Sequence, residues 1–141
     1  MPGTTDLPQG VFFLQAQERV VFGRPADAAV VAEADRHAAQ RIFVVSTRSL
    51  GALADGPLQR IVRALGPRHA GTFAEVRAHS PREDVVAAAH AARAARADLL
   101  VAVGGGSVID ATKAAQLCLW LGLDTPDAME PYRGAAAADV A

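Results

Sequence analysis

The chain has 141 residues, which is the length of one domain rather than two. A chain of that size buries about two-thirds of its unfolded surface, so it needs no disulfide or metal staples. Its formal net charge of -1 argues against a nucleic-acid or anionic-membrane surface as main partner. Hydrophobic residues make up 51% and charged residues 21%, the balance of an ordinary globular domain. Cys118 is the only cysteine, so a disulfide framework is excluded and a reducing compartment fits. Apolar runs reach about five residues, against the roughly 20 that a membrane helix needs. The start of the chain, with Asp6 and neither Lys nor Arg before Gln15, does not read as a secretory leader. A cytoplasmic placement is expected.

Residues 1–10 hold two prolines and two glycines and read as a loose arm. Val11-Phe12-Phe13-Leu14 and Arg19-Val20-Val21-Phe22 are β-prone runs around a short polar link, which predicts a small hairpin. Gly23-Arg24-Pro25 ends it. Ala26 to Gln40 places Ala29, Val30, Ala34 and Ala38 near helical spacing. Arg41-Ile42-Phe43-Val44-Val45 is a compact apolar strand that runs into Ser46-Thr47-Arg48. Leu58, Ile61, Val62 and Leu65 form an i, i+3, i+4, i+7 stripe, predicting a helix from about Gly56 to Leu65 that Gly66-Pro67 stops.

Thr72 to Val76 reads as the next strand. Ser80-Pro81-Arg82-Glu83 opens a helix, with Ser80 at the N-cap, Pro81 at N1 and Glu83 reaching back as the capping-box acid. That helix is expected to run to about Arg96. Leu99 to Val103 is fully apolar, the type of strand covered on both faces of a parallel sheet. After Gly104-Gly105-Gly106 a helix is expected over about Val108 to Leu121. Strands and helices in alternation predict an α/β fold: an open, mostly parallel, Rossmann-like sheet flanked by helices, with an N-terminal β-hairpin. The expected organisation is the arm (1–10), an α/β domain (11–125) and a tail (126–141).

The segment with chemistry in it is Leu99 to Lys113. A strand feeds a turn without side chains, and the turn feeds a helix N-terminus. Free N–H groups and the helix dipole favour an anion there. Three glycines would let a diphosphate approach the backbone without a Cβ in the way. The spacing is neither G-x-G-x-x-G nor a P-loop, because no Gly-Lys-Ser/Thr is present. Two readings stand on this pattern: a phosphate cradle, or a tight turn with Ser107 and Asp110 as a Ser-x-x-Asp helix cap.

Gly104-Gly105-Gly106-Ser107-Val108-Ile109-Asp110-Ala111-Thr112-Lys113, preceded by Ala97-Asp98 and the apolar strand, closely resembles the iron-containing alcohol dehydrogenase family. That superfamily also includes glycerol dehydrogenase, maleylacetate reductase and dehydroquinate synthase. Arg19-Val20-Val21-Phe22-Gly23 is similar to the family's early strand, and Ile42-Phe43-Val44-Val45-Ser46-Thr47 to its first nucleotide-binding strand. The resemblance implies an NAD or NADP site in which Gly104, Gly105, Gly106 and Ser107 hold the pyrophosphate. Asp110 and Lys113 would line the cleft or support the loop, and Ser46 and Thr47 would lie at the adenosine ribose. Many family members carry an acid at that strand end. Ser46-Thr47-Arg48, and Ala78-His79-Ser80-Pro81 further on, are more similar to maleylacetate reductases, whereas the Asp110 form of the glycine motif is more similar to the alcohol dehydrogenases. Without the acid, Arg48 could attract a 2′-phosphate.

Members of the resembled family are more than twice as long as 141 residues. Their helical second domain carries the ligands for iron or zinc and much of the substrate pocket, and a threonine-rich cofactor segment precedes it. The resemblance therefore implies the nucleotide-binding half of an NAD(P)-dependent oxidoreductase, with a dinucleotide as ligand and the C-terminal half or a homodimer mate as partner. A non-catalytic nucleotide-binding or assembly module is the other reading, separated from the first by NAD(P)H titration with a dehydrogenase assay.

The remaining reactive residues read as structural. His37, His69, His79 and His90 show no H-x-x-x-H or H-x-x-H pair, so no metal site is expected from them. Cys118 lies in an apolar helix and reads as a buried, inert thiol. Trp120 and Leu121 are expected to pack against a further domain. Asp98 reads as a loop or helix-end residue, and Arg93 and Arg96 as a solvated face. No Ser/His/Asp or Cys/His arrangement supports a nucleophilic site.

Overall fold

The computed structural model describes residues 17–135. In chain order the elements are α1 (Ala26–Arg36), β1 (Ile42–Val45), α2 (Arg48–Gly51), α3 (Pro57–Leu65), β2 (His69–Phe73), α4 (Arg82–Ala94), β3 (Leu99–Ala102) and α5 (Gly106–Leu121), with 3-10 turns at Gly66–Arg68 and Asp127–Tyr132. The three strands form one parallel sheet in the order β2-β1-β3.

β1 is the hub. All four of its residues are buried, and their alternation sends two side chains to each face of the sheet. Ile42 and Val44 pack with Ala34 of α1 and with Leu58, Ile61 and Leu65 of α3. Phe43 and Val45 pack with Val85, Ala88, Ala89 and Ala92 of α4 and with Val108, Ala111, Ala115 and Cys118 of α5. The small alanines let α4 and α5 lie close to the sheet. The chain thus leaves β1 toward one face and leaves β3 toward the other. Two neighbouring parallel strands whose continuations diverge open a crevice at their carboxyl ends, the place where ligands bind in open α/β sheets.

Several elements differ from the sequence-based expectation. Arg19–Phe22 carries no regular secondary structure, and the other half of the expected hairpin, Val11–Leu14, lies outside the described residues. Ion pairs tie this stretch to α1 through Arg19 to Glu33 and Glu18 to Arg36, and Phe22 is 87% exposed. The second strand is His69–Phe73 rather than 72–76, because its register on β1 starts at Ile42 opposite His69. α1 stops at Arg36 and α4 at Ala94, and the residues just beyond, Ala38 (φ 52) and Arg96 (φ 53), turn left-handed. α5 starts two residues earlier than expected, at Gly106.

The expected capping box before α4 does not form. Pro81 is the N-cap, with no side-chain cap bond, and Ser80 adopts φ 49 and turns its hydroxyl to another element. The acid that reaches back is Asp84, not Glu83. It accepts from the Arg77 backbone N–H at 2.9 Å and from the Arg77 guanidinium at 2.8 Å. β3 is half-buried throughout, because among the described residues it is one of the two edges of the sheet and pairs only with β1. Asp98 does more than end a loop: its carboxylate accepts from the N–H groups of Gln40 and Arg41, both at 2.9 Å, which pins the entry of β1 beside that of β3.

Candidate nucleotide-binding site

The glycine turn lies at the carboxyl end of β3, next to that of its neighbour β1. Val103 continues the pairing, its N–H bonding to the Val45 carbonyl at 2.9 Å. Gly104 then takes φ 151, a region that only glycine tolerates well, and a Cβ there would come within 2.7 Å of Val108 Cγ2. That close approach lets α5 begin directly after the strand. Gly105 is the N-cap of α5, and no side chain caps the helix. The Ser107–Asp110 cap is therefore not formed: Ser107 sits inside the first turn, where its Oγ accepts from the His79 N–H at 3.1 Å.

The N–H groups of Gly106 and Ser107 fall in the first turn, so helix geometry gives them no internal acceptor. No acid lies in that first turn. The partial positive charge of the helix end therefore faces open space. Cβ atoms built at Gly105 and at Gly106 would meet nothing within 4 Å. Their lack of side chains fills no packing need, and the space it leaves is on the solvent side, where an incoming group would sit.

The other expected site residues divide into those the fold brings to the turn and those it does not. Ser46 is fully buried and donates its hydroxyl to the Val103 carbonyl at 2.7 Å, so it sits behind the turn. Thr47 is the N-cap of α2, its Oγ1 accepting from the Leu50 N–H at 3.3 Å. It lies at the carboxyl end of β1, one strand over from the glycines. Arg48 next to it is highly exposed and reaches Glu75 at 3.3 Å. Asp110 is exposed on α5. Lys113 is two turns along that helix from Gly106, about 10 Å by helix rise, and lines a groove with Arg93, Arg96 and Trp120. Sequence reasoning missed the part played by Ser80, whose hydroxyl donates to the Ser107 carbonyl. The signal available was a polar residue before proline in the segment that faces the glycine turn.

Among the described residues no group of three or more His, Cys, Asp or Glu is placed to hold a metal ion. His69 bonds to Thr72 at 2.7 Å and His37 to Arg36 at 2.9 Å. Cys118 is buried, which pushes its thiol above the usual range. No helix among the described residues is long and apolar enough to cross a membrane.

Sheet order and the uncapped glycine turn together define an open parallel α/β unit with a glycine-rich helix N-terminus exposed at the carboxyl end of its sheet. Residues 17–137 match the family model of iron-containing alcohol dehydrogenases, and the chain belongs to that family of oxidoreductases. It is 44% identical over 99 residues to maleylacetate reductase 2 of Cupriavidus pinatubonensis, covering 70% of this chain and 26% of that protein. It is 35% identical over 109 residues to the maleylacetate reductase of a Rhizobium species, covering 77% of this chain and 30% of the relative. The crystal structure of maleylacetate reductase from Agrobacterium tumefaciens superposes with a TM-score of 0.64 at 33% identity, over 84% of this chain and 31% of that one. The chain thus spans between a quarter and a third of the length of these relatives.

Proposed function

We propose that this chain is the dinucleotide-binding part of an NAD(P)-dependent oxidoreductase that moves a hydride between a nicotinamide and an alcohol or carbonyl carbon. The observation that carries the reading is the uncapped N-terminus of α5 behind three glycines, with open space where the side chains of Gly105 and Gly106 would be. The N–H groups of Gly106 and Ser107 bind the diphosphate, each bond to a charged oxygen being worth about 1.5–3 kcal/mol. Thr47 and Arg48, at the carboxyl end of the neighbouring strand, flank the adenosine ribose. The dinucleotide, when bound, supplies or accepts the hydride, and this chain orients it.

The residues described here do not fit a metal, so no step is assigned to one in this part of the enzyme. The maleylacetate reductases among the relatives support a keto-acid carbonyl as the substrate class, met in the cytoplasm. The partner is the remaining half of such an enzyme or a second copy of the chain. Titration of the chain with NADH and with NADPH, followed by calorimetry, tests the reading. High-micromolar to millimolar binding is expected, about -4 to -6 kcal/mol, because the described residues offer contacts to the diphosphate and ribose and none to the nicotinamide. No heat of binding for either nucleotide at millimolar concentration refutes it.

A further inference from the structure

The three glycines are the most freely rotating stretch of backbone near the site, yet a cradle binds well only if it is held in one geometry before the ligand arrives. The structure holds them from both ends. On the strand side, the carbonyl of Val103, the residue just before Gly104, accepts the Ser46 hydroxyl at 2.7 Å. On the helix side, the carbonyl of Ser107, the residue just after Gly106, accepts the Ser80 hydroxyl. Ser46 is itself fixed, since its backbone donates to Phe73 at 2.8 Å and accepts from Val76 at 3.1 Å. Ser80 is held at φ 49 next to His79 at φ 63. Two successive left-handed residues, neither of them glycine, are uphill, the more so before a proline. They are kept there by the His79 N–H bond to Ser107 Oγ and by the Ser80 N–H bond to the Arg77 carbonyl at 3.2 Å. Ser107 Oγ accepts from His79 through a lone pair, so the hydroxyl retains its one proton to donate.

We propose that Ser46 and Ser80 are positioning residues that clamp the glycine turn at its two flanking carbonyls, so that its N–H groups are preorganised for a dinucleotide diphosphate. Ser46 touches no ligand in this account: it is buried behind the turn and acts through Val103. The proposal rests on the dinucleotide reading of the turn, but the clamp itself has a consequence without any ligand.

The test compares the parent chain with Ser46→Cys, which keeps the volume and weakens the donor, Ser80→Ala, which removes the donor from a half-exposed site, and Ser46→Thr, which keeps a hydroxyl. Backbone order parameters of Gly104, Gly105 and Gly106 are measured without ligand, and NADH affinity by titration. The parent glycines should be nearly as rigid as the strands, with order parameters near ~0.85, and those of Ser46→Cys and Ser80→Ala should fall toward the flexible range below ~0.6. NADH should bind each of these two variants roughly tenfold more weakly, ~1.4 kcal/mol, and Ser46→Thr should keep both rigidity and affinity. Glycines as rigid in folded Ser46→Cys and Ser80→Ala as in the parent overturn the clamp. Loosened glycines with unchanged affinity overturn its positioning role. A parent that binds no dinucleotide refutes the functional reading instead, while the order parameters still decide whether the two serines hold the turn.

Discussion

Gly105→Val separates binding from folding at the glycine turn. The new Cβ has nothing within 4 Å to meet and the residue is not left-handed, with φ -89, so the fold accepts it. The expected cost to stability is about 1 kcal/mol, from placing a β-branched residue at an N-cap that glycine suits better. The valine methyls occupy the space in front of the Gly106 and Ser107 N–H groups. Losing two bonds to a charged phosphate, at about 1.5–3 kcal/mol each, weakens dinucleotide binding by about 3–6 kcal/mol, more than 100-fold. Gly104→Ala is the contrast. Its Cβ would meet Val108 at 2.7 Å in a backbone with φ 151, so stability should fall by about 2–4 kcal/mol through strain and overpacking. Urea unfolding and calorimetric titration of both variants are the assays. A folded Gly105→Val that binds NADH and NADPH as tightly as the parent would refute the cradle.

Three further outcomes are expected. Thr47→Asp should keep the α2 cap, since Asp caps as well as Thr, and repel a 2′-phosphate, lowering NADPH affinity about tenfold relative to NADH, ~1.4 kcal/mol; a parent that already rejects NADPH contradicts the argument. The bond from Arg77 holds the Asp84 carboxyl below its usual range. A depressed folded pKa gives stability that is fully present above the unfolded value near ~3.9 and is lost as pH falls through the folded value. Urea midpoints followed downward from pH ~6 should therefore drop less steeply in Asp84→Asn than in the parent, and equal slopes would remove Asp84 from the acid limb. Cys118 should react with a thiol reagent at neutral pH only as fast as the chain unfolds, since it is fully buried with a raised pKa, and rapid labelling of the native chain would show that its helix opens locally.

The parts of the fold legible in the sequence are those with a local period. The continuous apolar run of Ile42 to Val45, buried at all four positions, and the stripe of Leu58, Ile61 and Leu65 on α3 followed from local pattern alone. The glycine turn was visible because a strand, three residues without side chains and a helix start stand in direct succession. What was not visible depends on partners far along the chain. Ser80 looked like a helix cap because its neighbours Pro81 and Glu83 fit one, yet its hydroxyl is used 27 residues away. The family resemblance put Ser46 at the adenosine ribose, and no local pattern shows that its hydroxyl bonds a carbonyl 57 residues away. The apolar run at β3 suggested cover on both faces. Its partial exposure follows from sheet order, which no local pattern encodes.

Backbone amide resonances followed while NADH is added report whether a dinucleotide sits on the glycine turn. Saturable shifts are expected centred on Gly104 to Ser107, with a second group at Thr47 and Arg48 and none along the groove of Arg93, Arg96 and Trp120. Shifts centred on that groove, or no saturable shift at the glycines at millimolar NADH or NADPH, would contradict it.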